Sequence, residues 1–260
     1  MLALSCYGDK AKPALVMLHG FLGNQADWQS IVVHLTEHFY CVCVDLPGHG
    51  QSPTLTLATP GFDQIAGHIQ TAIDALAIEK YHLLGYSLGG RIALHLARDH
   101  ADKLLSLCVE SCHPGLDSAE EKLLRGKSDL DWSHKLTSLP IDEFLSLWYQ
   151  QGVFAELSFE DRQQLINKRS HNSKAGLLSI YLASSLAQQT NLWDLPNLIK
   201  ITCHYIVGRH DSKFLALATR WQQVAPINVH AVEHAGHNVH LAAPIDYSRK
   251  LIQLLIEDKL

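Results

Sequence analysis

No stretch of this sequence is apolar for long enough to cross a bilayer. The opening segment MLALSCYGDKAKP carries neither a basic leader nor a sufficient apolar run. Basic charge is not in excess: 21 Lys and Arg against 26 Asp and Glu give a formal charge of −5, leaving no field to neutralise a run of phosphates. Membrane and nucleic acid are thereby set aside as partners. None of the six cysteines (Cys6, Cys41, Cys43, Cys108, Cys112, Cys203) belongs to a CxxC pair, so metal and redox spacing are absent. Most of them lie in apolar, strand-like runs and read as buried thiols of a reducing compartment. Repeats, low-complexity tracts and flexible linkers are also missing. The expectation is a soluble cytoplasmic protein; its oligomeric state is open, with a monomer as the default.

What is present is enough apolar material for one large core: 47% hydrophobic and 18% charged residues in a chain of 260. Short apolar runs suited to buried parallel strands recur at Ala14 to Leu18, Tyr40 to Val44, Tyr81 to Leu84, Leu104 to Val109, Ile201 to Val207 and Asn228 to Val232. Between them Trp28, Ile31, Val32 and Leu35 fall at helical spacing, as do Ile65, Ile69, Ile73 and Leu76, and Ile92, Leu94 and Leu96. This alternation predicts a mostly parallel, doubly wound α/β sheet. It stops after Glu110. From His113 to Leu186 only helical patterns occur, in EEKLLRG, IDEFLSLWYQQ, FEDRQQLINKR and AGLLSIYLASSLA, too long a stretch for one crossover. A core of residues 1–112 and 187–260 is therefore expected to carry a helical cap at 113–186, and to end in a helix starting near Pro244.

Gly85-Tyr86-Ser87-Leu88-Gly89-Gly90 stands between the strand YHLLGY and the helix RIALHLARDH. A G-x-S-x-G there makes the nucleophile elbow of the α/β-hydrolase fold, where a sharp strand-to-helix turn leaves no room for side chains around an exposed serine. His19-Gly20-Phe21-Leu22-Gly23 follows the strand ALVML, where this fold places one donor of its oxyanion hole; the residue after the serine gives the other. The donors here would be the backbone N–H groups of Phe21 and Leu88. A third turn, Asp45-Leu46-Pro47-Gly48-His49-Gly50, reads as architectural. Among 17 histidines, His237 in Ala235-Gly236-His237 follows the last strand at the sheet's carboxyl end, with His234 and His240 as local competitors. A metal site on those three lacks supporting carboxylates or cysteines. Asp211 in Gly208-Arg209-His210-Asp211 follows the strand YIV and gives the chain order serine, acid, histidine. Glu110 is the alternative acid.

A triad on this fold does not choose a reaction. Arg91, four residues after Ser87, brings a cation toward the nucleophile and suggests an anionic substrate, unless it pairs with a carboxylate of the cap. The chain as a whole resembles the 2-succinyl-6-hydroxy-2,4-cyclohexadiene-1-carboxylate (SHCHC) synthases of menaquinone biosynthesis. The resemblance rests on HGFLG, DLPGHG, GYSLGGR, VESCHPGL, WYQQGVFA, KRSHN, GRHDSKF and AGHNVH, of which the cap pieces, the arginine of GYSLGGR and HDSKF are most particular to that family. Ser111-Cys112 stands where the family pattern has glycines.

The resemblance implies a carbon–oxygen lyase without metal or organic cofactor. Such enzymes remove pyruvate from a cyclohexene bearing a succinyl group, a carboxylate and an enolpyruvyl ether. Ser87, made basic by His237 and Asp211, would take the acidic proton beside the succinyl ketone, and Phe21 and Leu88 would stabilise the charge on the ketone oxygen. The resemblance assigns Arg91, Arg125 and Arg169 to the three carboxylates, Tyr86, Trp148 and Tyr149 to the pocket wall, and Lys213 and Phe214 to its vicinity. Two other readings stay open at this point: a carboxylester or carbon–carbon hydrolase using Ser87 as nucleophile, and a non-catalytic scaffold.

Overall fold

The structure, a computed structural model, describes residues 1–256. Seven strands form one sheet: β1 (Leu4–Tyr7), β2 (Ala14–Leu18), β3 (Tyr40–Val44), β4 (Tyr81–Tyr86), β5 (Leu104–Glu110), β6 (Thr202–Gly208) and β7 (Ile227–Val232). Their order is β1-β3-β2-β4-β5-β6-β7, with β1 antiparallel to β3 and every other pairing parallel. The six expected runs are the six parallel strands. The edge strand β1 was not anticipated: LSCY is only partly buried and lacks the apolar run that marks a central strand.

The helices are α1 (Gln29–Leu35), α2 (Phe62–Asp74), α3 (Leu88–Asp99), α4 (Ala119–Ser138), α5 (Ile141–Trp148), α6 (Phe159–Arg169), α7 (Lys174–Ala183), α8 (Leu195–Leu198), α9 (Ser212–Val224), α10 (Val239–Ala242) and α11 (Pro244–Leu255). Alternate side chains of each strand serve opposite faces. Val16, Leu18, Leu83 and Val109 pack with Ile65 and Ile69 of α2, Ile92 and Leu96 of α3 and Trp221 of α9. Leu15, Met17, Cys41, Cys43 and Ile206 pack on the other face with Ile31 and Leu35 of α1 and Leu251 of α11. None of the six cysteines forms a disulfide among the described residues, and all but Cys6 are buried.

Helices α4 to α7 lie between β5 and β6 in the chain. α4 begins at a capping box in which Ser118 Oγ accepts from the Glu121 N–H at 3.1 Å. These helices share an apolar cluster of their own, including Leu136, Phe144, Leu145, Leu165, Ile166 and Leu177, which reaches the sheet's loops through Leu22. Among the described residues no helix is long and apolar enough to cross a membrane.

Strand order positions the site. β2 pairs with β3 on one side and with β4 on the other. The chain thus winds away from β2 in both directions, and the loops leaving β2 and β4 part at their carboxyl ends, where open α/β sheets form a crevice.

Candidate active site

Ser87 follows β4 at φ 49°, ψ −108°, in the left-handed region that costs a non-glycine residue about 1–3 kcal/mol. The turn is held from both sides. Ser87 N–H donates to the Glu110 carbonyl at 2.8 Å, and Arg91 N–H donates to the Ser87 carbonyl at 3.0 Å. Close packing explains the flanking glycines: a Cβ on Gly89 would lie 2.2 Å from the Leu18 carbonyl oxygen, and one on Gly85 2.5 Å from that of Gly89. Sequence spacing alone could not show that α3 presses against β2.

Asp211 caps the amino end of α9. One carboxylate oxygen accepts the Phe214 N–H at 3.2 Å and the other lies 2.7 Å from His237 Nδ1. A carboxylate at Nδ1 selects the tautomer protonated there and leaves Nε2 free as a base. Both groups are buried. The loops carrying them are joined by His210 N–H to the Ala235 carbonyl, 3.0 Å. Phe214 stacks obliquely on the His237 ring, with centroids 4.8 Å apart, while Tyr86 and Phe154 meet it edge-on. The competing histidines point elsewhere: His234 faces His210, and His240 faces Glu110 at 2.9 Å.

The loop after β2 is fixed by two buried histidines. His19 Nε2 accepts the Leu46 N–H at 3.0 Å, and His49 Nε2 accepts the Leu22 N–H at 3.1 Å. Each Nδ1 donates to a carbonyl, of Gly20 and Pro47 respectively. Asp45 ties the same loops by accepting from Gln25 N–H at 2.7 Å and Gln51 N–H at 2.8 Å. The DLPGHG turn is therefore a brace for the HGFLG loop. The Phe21 and Leu88 backbone N–H groups donate to no acceptor among the described residues.

That bracing carries a pH dependence. Burial lowers both His19 and His49 to a pKa of about 3. Below pH ~6.5 the unfolded chain takes up protons that the fold excludes, so each histidine costs about 1.4 kcal/mol of stability per pH unit until its folded pKa is reached. Above ~6.5 the contribution is fully present. The urea midpoint should fall steeply between pH 6.5 and 4, and His49→Gln should reduce that slope by one histidine's share. Equal slopes for the two proteins would contradict the assignment.

Ser87, Phe21 and Leu88 line a cavity of about 110 Å³ together with Arg91, Arg125, Trp148 and Phe214. Cys112, His113, Tyr181 and Ser184 complete much of its wall and were not foreseen as lining residues; Cys112 and His113 belong to VESCHPGL, and Tyr181 and Ser184 to the helical run AGLLSIYLASSLA. Burial, then Arg91, Lys213 and Arg125, lowers His113 to about 4, so its ring is neutral at pH 7. His237 lies on adjacent cavities of about 550 and 500 Å³. A larger groove of about 1140 Å³ runs past Lys10, Tyr40, Asp74 and Lys103 at the amino end of the strands, away from Ser87.

Arg91 donates from Nη1 to the Ser184 carbonyl at 2.9 Å and stands over the Phe62 ring at 5.5 Å. Among the described residues no carboxylate forms an ion pair with it, so the pairing with the cap that sequence left open does not occur. Burial, then Arg125, lowers its pKa to about 10, which still leaves it charged at neutral pH. Arg125 is oriented by Asp129 at 2.6 Å, itself held by Ser185 Oγ at 2.6 Å.

Three expected pocket residues stand elsewhere. Arg169 is buried with Nη2 at 2.7 Å from both Asp27 oxygens, and it does not line the Ser87 cavity. Burial works to lower its pKa and Asp27 outweighs it, as expected of a guanidinium already neutralised. Tyr86 turns its hydroxyl to Asn238 Oδ1 and also lies outside that cavity. Tyr149 packs on Phe154 in the cap core. Lys213, partly desolvated, stands over the Phe214 ring at 5.5 Å.

Residues 13–244 match a family model described as the alpha/beta hydrolase fold. An SHCHC synthase from Enterobacter sp. (strain 638) is 38% identical over 248 residues, 95% of this chain and 93% of that protein. The chain belongs to the SHCHC synthase family. A second synthase of this family, from Escherichia coli O1:K1 / APEC, is 36% identical over 249 residues, 96% of both chains. Among solved structures, MenH from S. aureus superposes with a TM-score of 0.92 at 24% identity over 100% of both chains. The enol-lactonase from Burkholderia xenovorans LB400 follows the same fold, with a TM-score of 0.80 at 20% identity, covering 98% of this chain and 96% of that one.

Proposed function

We propose that this protein is an SHCHC synthase: a lyase that eliminates pyruvate from 2-succinyl-5-enolpyruvyl-6-hydroxy-3-cyclohexene-1-carboxylate in menaquinone biosynthesis, with Ser87, His237 and Asp211 acting together as its base. The observation that carries the reading is the desolvated Arg91 guanidinium in the wall of the Ser87 cavity, which no carboxylate ion-pairs among the described residues. A hydrolase of neutral esters has no use for a desolvated cation there; a substrate with three carboxylates does.

In the proposed reaction, His237 Nε2 draws the Ser87 proton while Asp211 stabilises the imidazolium. Ser87 Oγ removes the proton next to the succinyl ketone, and the Phe21 and Leu88 N–H groups receive the charge that develops on the ketone oxygen. The electron pair moves through the ring and breaks the carbon–oxygen bond to the enolpyruvyl group, which leaves as the enolate of pyruvate and becomes pyruvate by taking up a proton. Arg91 and Arg125 hold carboxylates of the substrate. Arg169 supports the site indirectly, by locking Asp27, which in turn accepts the Asn24 N–H at 3.2 Å in the loop after β2. The proposal assigns residues 1–112 and 187–260 to the catalytic core and 113–186 to the cap.

We also place the protein in the cytosol, in keeping with six cysteines of which none forms a disulfide among the described residues. Purified protein given the enolpyruvyl substrate should release pyruvate and, in the same preparation, show little burst with an activated ester. A burst without pyruvate would replace the lyase by a hydrolase.

A further inference from the structure

Beneath the Asp211–His237 pair lies a second carboxylate–imidazole pair that the mechanism does not use. Glu110, at the end of β5, is completely buried, and no Lys or Arg pairs with it among the described residues. His240 Nδ1 lies 2.9 Å from both of its oxygens. The same carboxylate accepts the Val239 N–H at 2.7 Å and the His240 N–H at 3.3 Å, at the start of α10. Its backbone carbonyl accepts the Ser87 N–H at 2.8 Å. One residue therefore grips the serine through its main chain and the segment just after His237 through its side chain.

The His240 ring is clamped as firmly. It stacks on Trp28 with centroids 4.4 Å apart and meets Tyr86 edge-on at 4.8 Å. Tyr86 precedes Ser87, touches His237 at 5.5 Å and hydrogen-bonds Asn238. Serine and histidine of the triad arrive on strand ends separated by β5 and β6, and Glu110, Tyr86 and His240 form the solid connection between them.

We propose that Glu110 and His240 are a positioning pair that sets the alignment of His237 on Ser87, so that their loss lowers the rate of proton abstraction and leaves substrate binding intact. The inference rests on the triad and the lyase reading above. A buried carboxylate with several charge-assisted donors is stiff, whereas a loop held only by backbone contacts would let His237 drift, and small misplacements of a base cost large factors in rate.

The test is steady-state pyruvate release by wild type, His240→Ala, His240→Asn and Glu110→Gln, each normalised to folded protein. The Asn amide nitrogen can occupy the place of Nδ1 and restore the donor to Glu110, while Ala cannot. His240→Ala should lose about 10–100-fold in kcat with KM within about threefold, and His240→Asn should recover most of it. Glu110→Gln, which keeps the volume but sets an amide donor against Nδ1, should resemble the alanine variant. If Ala and Asn are equivalent, if kcat stays within threefold of wild type, or if the loss falls on KM, the pair is merely structural and the inference is overturned. His240→Asn and His240→Ala leave Glu110 in place, so the comparison survives should Glu110→Gln not fold. A wild-type protein that releases no pyruvate removes the reaction itself, an outcome distinct from active enzyme with insensitive variants.

Discussion

Ser87→Ala is expected to lower kcat for pyruvate release by about a thousandfold or more, with KM within about threefold of wild type. General base catalysis contributes roughly 10²–10⁴ in rate, and the side chain that performs it makes its decisive contact only as the proton moves. His237→Ala should cost a similar factor. The double variant should cost little more than either single one, because the two residues act as a unit. Asp211→Asn would keep the shape but offer an amide to His237 Nδ1, now 2.7 Å from a carboxylate oxygen, and so favour the wrong tautomer. Its loss should be of comparable size, whereas Glu110→Gln should be milder if Asp211 is the acid of the triad. Near-normal turnover by Ser87→Ala would remove the serine from the chemistry, whatever the fold.

The parallel strands were legible because a strand buried on both faces must be a short apolar run, and Ala14–Leu18 and Tyr40–Val44 have those bounds in the structure. β1 was not, since an edge strand packs one side only and LSCY carries no such signature. Ser87, Asp211 and His237 could be picked out because each follows a strand at the same end of the sheet, so topology brings together residues far apart in sequence. Arg169 shows where that logic ends. Only the resemblance assigns it to a substrate carboxylate, since its place in α6 alone reads as a solvated charge, and in the structure Asp27, 142 residues earlier, meets it. No local pattern announces a pairing between a cap helix and a loop of the core. Tyr86 is a similar case: alternation puts it opposite the face of its neighbours, and only the approach of Asn238 decides what its hydroxyl meets.

The contrast between two arginines gives the second large effect. Arg91→Ala should reduce kcat/KM for the enolpyruvyl substrate by about 10²–10³, through KM above all, since a charge-assisted contact to a carboxylate in a desolvated wall is worth about 1.5–3 kcal/mol and a two-point contact more. Its thermal midpoint should hold or rise. The guanidinium is desolvated beside Arg125 with no carboxylate ion-paired to it among the described residues, and the drop of its pKa to about 10 records that its charge is disfavoured in the empty protein. Arg169→Ala should do the reverse, because it leaves Asp27 buried without its counter-charge; breaking such a pair typically costs about 3–5 kcal/mol. That variant should melt much earlier, and any loss of activity should follow the loss of folded protein. Thermal melts beside substrate titrations of the two variants separate the cases. If Arg91→Ala lost stability and kept its KM, the unpaired cation would be part of the scaffold, and the argument for an anionic substrate at this cavity would fail.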